Sequence, residues 1–272
     1  MRTAVVGHVE WVEFASVARV PEPGEIVAAR RTWAEPAGGA GVAAVQLARL
    51  GGACTLYTAL GDDELGRRSR EGLADLGVDV VAATRTGEPT RRAFTFVDDA
   101  GERTITVIGE RLQPERDDPL PWDALAEVDA VYFTAGGPDA LRAARAARTV
   151  VATARVMSTI AAAAVRLDAV VGSGGDAGER YTPYDPEPDL VVTTAGATGG
   201  AWTGAEGRTG EWAAAPVPGP VGDAYGCGDS FAAGLTYGLA DGRGVDGALE
   251  LAARCGAECL AGHGPYERQL AL

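Results

Sequence analysis

Short runs of apolar and β-branched residues alternate along the chain with longer segments rich in Ala and Leu. Six runs read as strands: Thr3–Gly7, Cys54–Ala59, Ala130–Phe133, Val150–Ala152, Asp168–Val171 and Leu190–Thr194. Helical spacing falls on Gly41–Leu50, Gly66–Leu76, Ala140–Ala147, Asp229–Ala240 and Gly247–Leu260. Gly51-Gly52, Gly77 and Gly242 follow the last apolar position of three of these, as a helix C-terminus favours. This alternation predicts an α/β fold, a mostly parallel sheet covered by helices.

Two stretches break the rhythm. Glu13–Trp33 and Thr84–Ile108 have no helical period. The second alternates over Ala93–Val97, turns at Asp98–Gly101 and alternates again over Arg103–Val107, which is a hairpin pattern. Two readings are open: a small sheet standing off the main body as a lid, or extra edge strands on the main sheet.

Length and composition narrow the class. A chain of 272 residues suits a single large α/β domain, here 1–272 with lid insertions at about 13–33 and 84–108. At 46% hydrophobic and 6% aromatic it can bury a full core built mainly from Ala, Val and Leu. No apolar run reaches the ~20 residues of a membrane span, and Met1–Gly7 reads as a first strand rather than a signal peptide. A cytoplasmic protein without membrane partners is expected. With 38 acids against 24 bases and a net charge of −14, nucleic acid is a disfavoured partner. The sequence contains no Lys and no Asn, so every base counted is Arg. Cys54, Cys227, Cys255 and Cys259 lack the paired spacing of a zinc site and read as buried thiols.

Candidate chemistry concentrates in Gly222–Leu235. Gly226 and Gly228 bracket one small residue, Cys227, and open directly into an amphipathic helix. Unpaired N–H groups and the positive end of the helix dipole make such a turn an anion site. It can receive the charge of a transferring phosphoryl group. Asp229, in the first turn, either caps the helix or takes the proton of an attacking hydroxyl.

Asp223-Ala224-Tyr225-Gly226-Cys227-Gly228-Asp229-Ser230-Phe231 resembles the C-terminal signature of the ribokinase-like (PfkB) carbohydrate kinases. Gly38-Gly39-Ala40-Gly41, leading into Ala44–Gly51, resembles the N-terminal signature. Ala59–Gly66 is similar to the family's Gly-X-Asp-X-X-Gly segment, and Thr194–Gly199 to its nucleotide loop. The matches keep the family's order and run nearly end to end. The resemblance implies a three-layer α/β/α Rossmann-like sandwich with a small β-sheet lid, an ATP and Mg²⁺ requirement, an anion hole at Gly226, Cys227 and Gly228, and Asp229 as catalytic base. It further implies substrate contacts from Gly38, Gly39, Ala40 and Gly41, and nucleotide contacts from Ser173, Thr194, Gly196, Thr198 and Gly199. Metal contacts are implied at Asp176 and Asp223, the latter beside the K⁺ that many members bind, and homodimers often form through the lid.

The chain also departs from the pattern. Ala43 stands where the family has a sugar-binding Asn, Ser173 and Asp176 stand for its Asn-X-X-Glu segment, and Ala253 for an Asn near the adenine. Asp176 reads equally as an orderer of metal-bound water or as an exposed acid. In Gly7–Val12, Glu10 occupies an Asn slot and Val12 an Asp slot. On an extended strand residues 10 and 12 share a face opposite Trp11 and Glu13, making Glu10 the better acceptor for substrate hydroxyls. Trp11 and His8 read as packing residues or as ring and substrate contacts. The expected function is ATP-dependent phosphorylation of a hydroxyl on a sugar-like small molecule. A nucleoside kinase of the same fold and a degenerate, non-catalytic ligand-binding protein are the alternatives.

Overall fold

The computed structural model describes all of residues 1–272. Its large sheet has nine strands in the order β13-β12-β11-β10-β9-β8-β1-β4-β5. These are β1 (Thr3–Val6), β4 (Cys54–Gly61), β5 (Val78–Arg85), β8 (Ala130–Phe133), β9 (Thr149–Thr153), β10 (Ala169–Ser173), β11 (Leu190–Thr194), β12 (Gly200–Gly204) and β13 (Thr209–Trp212). From β5 through β11 every pairing is parallel; β12 and β13 add an antiparallel edge.

The strands are apolar on both faces because both faces are covered. Val5, Tyr132 and Val151 point into one core with α1 (Gly38–Gly51), α2 (Glu64–Asp75), α5 (Cys227–Ala240) and α6 (Gly244–Leu260). Their neighbours Val6, Phe133 and Ala152 point into a second core with α3 (Pro138–Ala144) and α4 (Met157–Ala163). The expected three-layer sandwich is thus present. Sequence periodicity placed six of the nine strands and five of the six helices, missing β5, β12, β13 and α4.

The two irregular stretches form a separate four-stranded sheet in the order β3-β2-β6-β7, which decides between the two readings. Its strands are β2 (Glu10–Ser16), β3 (Arg31–Ala37), β6 (Arg92–Val97) and β7 (Arg103–Ile108). Thr84 and Arg85, expected in the second insertion, instead complete β5, because the apolar run after Gly77 is long enough to pair with all of β4. Glu10, Val12 and Phe14 of β2 are buried on one face, where Phe14 stacks on Trp33 with centroids 4.8 Å apart and meets Tyr225 edge-on at 5.0 Å. The hairpin turn is anchored to the body through the Ala224 N–H, which donates to the Gly101 carbonyl. The small sheet therefore lies over the segment that opens α5.

Strand order reverses at β1: β4 and β5 lie on one side, β8 and its successors on the other. The carboxyl ends of β1 and β8 meet there, at the switch point where open α/β sheets hold ligands. A side chain at Gly7 would collide with Thr134, so the two strand ends are pressed together just below the cleft.

Candidate active site

Asp229 lies at this switch point. It occupies the first turn of α5, whose N-cap, Gly226, has φ +79°, a left-handed conformation that glycine adopts without strain. The backbone N–H groups of Gly226, Cys227, Gly228 and Asp229 donate to no protein acceptor. A side chain at Gly228 would point into open space. The first turn thus presents a bare row of donors at the positive end of a 14-residue helix.

A second helix start faces the same space. Gly38 opens α1 with φ +81°, and a methyl group at Gly39 would come 2.9 Å from Asp229 Oδ1. The absent side chain lets the carboxylate sit against the N-terminus of α1. Gly38 borders Glu10 in the same way, its missing side chain falling 3.3 Å from Glu10 Cγ. The Ala40 side chain is fully buried against Gly7, and Gly41 packs on Tyr266 and Leu73, so these two can offer a substrate only their backbone N–H groups at the start of α1.

Burial, with the nearby charge of Glu179, pushes the Asp229 carboxyl up to about 7, against the opposing effect of Arg103 and Arg155. Such a group is poised to gain and lose a proton near neutrality. Cys227 is held differently. Its thiol is driven far upward by a hydrogen bond with Cys259 and by burial, and Sγ lies 3.8 Å from the Asp223 carbonyl. The thiol is therefore neutral and engaged with protein.

Asp223 is fully buried and takes the N–H groups of Tyr225 (2.9 Å) and Gly264 (2.7 Å), one on each carboxylate oxygen. It ties the loop before α5 to the loop after α6. Asp176 is half-buried, caps the 3-10 turn Ala177–Glu179 through the Gly178 N–H, and pairs with Arg155 at 2.6 Å. Arg155 also holds Glu179 at 2.7 Å. No group of three or more His, Cys, Asp or Glu side chains converges to hold a metal ion.

The expected nucleotide residues gather at the ends of β10 and β11. Ser173 Oγ accepts from the Gly175 N–H, Thr194 Oγ1 donates to the Gly172 carbonyl, and Thr198 Oγ1 donates to the Ala195 carbonyl. Gly196 and Gly199 both have positive φ. Beside them Trp212 stacks on Phe231 of α5, with centroids 5.6 Å apart. An open cavity of ≈ 650 Å³ runs between segment 211–218 and α6, and Ala253 lines it.

Of the remaining positions singled out from the sequence, Trp11 packs beneath Arg68, whose guanidinium carbon lies 4.3 Å from the ring centre. Val12 and Ala43 are fully buried. Glu10 is buried and faces the Arg91 guanidinium, Nε to Oε2 3.2 Å. Sequence reasoning missed Arg91, Arg103, Arg111, Arg155 and Glu179. Only Glu179 carried a usable signal, as a second acid three residues beyond Asp176.

A doubly covered parallel sheet, a small sheet over its switch point and a glycine-bracketed helix start with an acid in its first turn define the ribokinase-like class. The sequence matches the pfkB family carbohydrate kinase over residues 2–170 and 167–270, and the chain belongs to that family. A ribokinase from Dictyostelium discoideum is 32% identical over 106 residues, 39% of this chain and 33% of that protein. The alignment thus spans about a third of this curated relative's length. Among solved structures, ribokinase from Cryptococcus neoformans in complex with ADP has a TM-score of 0.78 at 22% identity, covering 100% of this chain and 97% of that one. Adenosine kinase from Sinorhizobium meliloti has a TM-score of 0.80 at 20% identity, covering 99% and 96%. At these identities the two structures establish the shared fold.

Proposed function

We propose that the protein is an ATP-dependent phosphotransferase acting on a hydroxyl of a sugar or sugar-like molecule, with Asp229 as general base. The observation that carries this reading is the placement of a carboxylate poised near pH 7 beside the unpaired N–H groups of α5. An acceptor hydroxyl lying between Asp229 and the start of α1 gives its proton to the carboxylate as its oxygen bonds to the γ-phosphorus. The bond from that phosphorus to the β-phosphate oxygen breaks, and ADP leaves with the electron pair. The N–H groups of Gly226, Cys227 and Gly228 receive the negative charge that spreads over the transferring group. Arg103 and Arg155, whose charges reach Asp229, add to that stabilisation.

The binding of ADP by the Cryptococcus ribokinase supports a nucleotide in the groove beside α6. Glu211, Asp246, Glu250 and Glu258 line that groove against a single base, Arg254. This acidic lining suits the base and ribose and repels the phosphates toward α5. The hard carboxylate oxygens of Asp176 and Glu179 suit Mg²⁺, which binds largely through substrate phosphates and water and needs few protein ligands. When bound, the ion neutralises phosphate charge. Asp223, with both oxygens committed to backbone donors, would offer a monovalent cation charge more than a free ligand atom. The edge strand β7 is exposed at every position and carries Ile105, Val107 and Ile108, a surface on which a second copy could pair. No helix is long and apolar enough to cross a membrane.

The adenosine kinase fold match keeps nucleosides among the acceptors to be tested. Burial of Val12 and Ala43 at positions where the family is polar favours a second reading, a binding protein without turnover. A screen of sugars and nucleosides for acceptor-dependent ADP release from ATP, with and without potassium, separates the two. Acceptor-dependent release supports the kinase; ATP binding without release from any acceptor contradicts it and favours the binding protein.

A further inference from the structure

In a chain of net charge −14, the acceptor side of the cleft is unexpectedly cationic. Arg91 and Arg111 come from the two segments that join the small sheet to the body, one just before β6 and the other just after β7. Both segments are held. Asp63 accepts hydrogen bonds from the backbone and hydroxyl of Thr90, at 2.8 and 2.6 Å, next to Arg91. Arg85 pairs with Asp118 and donates to the Gln113 carbonyl at 2.8 Å, two residues from Arg111. The β2–β6 register begins with Trp11 opposite Arg92, and the Trp11 N–H donates to the Arg91 carbonyl at 2.9 Å, so Glu10 and Arg91 stand side by side one position before it.

The guanidiniums are nevertheless without acceptors. Neither Arg91 nor Arg111 donates a hydrogen bond to protein, and the buried Nε of each has no partner. Arg91 has one ionic neighbour, Glu10, at 3.2 Å without hydrogen-bond geometry; Arg111 has no ion pair. Glu10 Oε2 and His8 Nδ1, on whose side chains both arginines act, are likewise buried and unpartnered. His8 is held neutral by burial and by the arginines around it. One positive charge in excess thus remains where the small sheet covers the cleft. Arg155 pairs with two acids, Asp176 and Glu179, and so adds no positive charge to this count. Arg103 and Arg155 act on Asp229; Arg91 and Arg111 act on both His8 and Glu10, with Arg155 also reaching His8. The unmatched pair therefore serves the far end of the acceptor and not the transferring phosphoryl group.

Resting on the kinase reading above, we infer that the acceptor carries an anionic group of its own, a carboxylate or a phosphate, seated on the Arg91 and Arg111 guanidiniums at the hinge of the small sheet. A planar guanidinium with free donors matches such a group in a bidentate manner. Glu10 and His8 then meet the hydroxyls next to it. A neutral sugar would leave an unbalanced charge and two buried donors unpaired, which costs affinity.

The test is equilibrium binding by calorimetry to the full chain, with matched ligands: D-gluconate for a carboxylate, D-glucose 6-phosphate and D-fructose 6-phosphate for a phosphate, D-glucose, D-fructose and adenosine as neutral controls. At least one anionic ligand should bind about tenfold or more tightly than its neutral counterpart. Arg111→Met should abolish that preference, Arg111→Lys should restore part of it, and ADP affinity should stay unchanged in both. Arg111 donates to no protein group, so neither variant is expected to disturb folding, and thermal unfolding checks this. Equal or tighter binding of neutral ligands, a preference that survives Arg111→Met, or no binding of any anionic ligand up to about 10 mM overturns the inference. ADP release in the same series separates the two claims. Binding of anionic ligands through Arg111 with no phosphoryl transfer to any ligand of the series or of the acceptor screen sinks the kinase reading and leaves the anion site standing.

Discussion

Replacing Asp229 with Asn should stabilise the free protein, and by an amount that depends on pH. The Asp229 carboxylate accepts no hydrogen bond from protein, and its pKa rises from an ordinary 3.8 to about 7 in the fold. Between those values the folded chain holds a proton that the unfolded chain has lost. Stability therefore falls as pH rises through this window, and above about pH 7 the full cost of the buried charge is present. A rise of about three units at 1.36 kcal/mol each sets a ceiling of ~4 kcal/mol. The side chain is only partly buried, so solvent screening reduces this to ~1–3 kcal/mol. At about 2–4 °C per kcal/mol for a chain of this size, Asp229→Asn should melt ~2–12 °C above the parent at pH 8. The two melting points should converge below about pH 3, where Asp229 is protonated in both states. Thermal unfolding of both proteins across this range reads the difference directly, because every other titrating group is common to both. A gap that does not change with pH, or a variant less stable at pH 8, would refute the claim that the fold strains this carboxylate.

Three further outcomes follow from neighbouring residues. Cys227→Ala should keep kcat within a few-fold and cost only ~1 kcal/mol in unfolding experiments, since the thiol makes only weak sulfur contacts, with Cys259 and the Asp223 carbonyl, and the site needs only the backbone N–H; a collapse of kcat with the fold intact would give the sulfur a role. Gly39→Ala puts a methyl 2.9 Å from Asp229 Oδ1 and should lower kcat by about tenfold or more through displacement of the carboxylate, with KM for ATP little changed; steady-state kinetics near parental values would show that the two do not press together. Arg155→Gln removes a positive neighbour and frees Glu179, both of which raise the Asp229 pKa, so the acidic limb of the kcat/KM profile should move to higher pH, while Glu179→Gln should move it lower. A limb fixed in both variants would separate Asp229 from these groups.

How much of this could be read from sequence depended on whether a residue's neighbours are also its sequence neighbours. Gly226, Gly228 and Asp229 act within one helical turn, so spacing alone placed the acid beside the free N–H groups. The strand ends of the small sheet were legible from the alternation at Ala93–Val97 and Arg103–Val107. β5 was missed because its run, Val78–Arg85, carries Asp79 and starts at the glycine that ends α2. β12 and β13 are five and four residues long and contain Gly, and α4 has too few polar positions to show a period. The arginines around the cleft come from four separate segments and belong to no motif. In a chain whose only base besides two His is Arg, nothing in the sequence distinguishes Arg91 or Arg111 from a solvated one. Burial without an acceptor is the property that sets them apart, and it exists only in three dimensions. Asp176 illustrates the reverse case: its position in the motif suggested a metal role, whereas in the fold it first serves as a turn cap and as a partner of Arg155.

The most direct test is the rate of acceptor phosphorylation by Asp229→Asn against the parent, at saturating ATP and about pH 8, with the best acceptor from the screen. Asparagine keeps the size and hydrogen-bonding shape of the side chain and cannot take the proton, so kcat should fall ~10²–10⁴-fold while ADP still binds with parental affinity. Turnover within a few-fold of the parent would contradict the account, because the phosphoryl transfer would then proceed without the group around which the cleft is built.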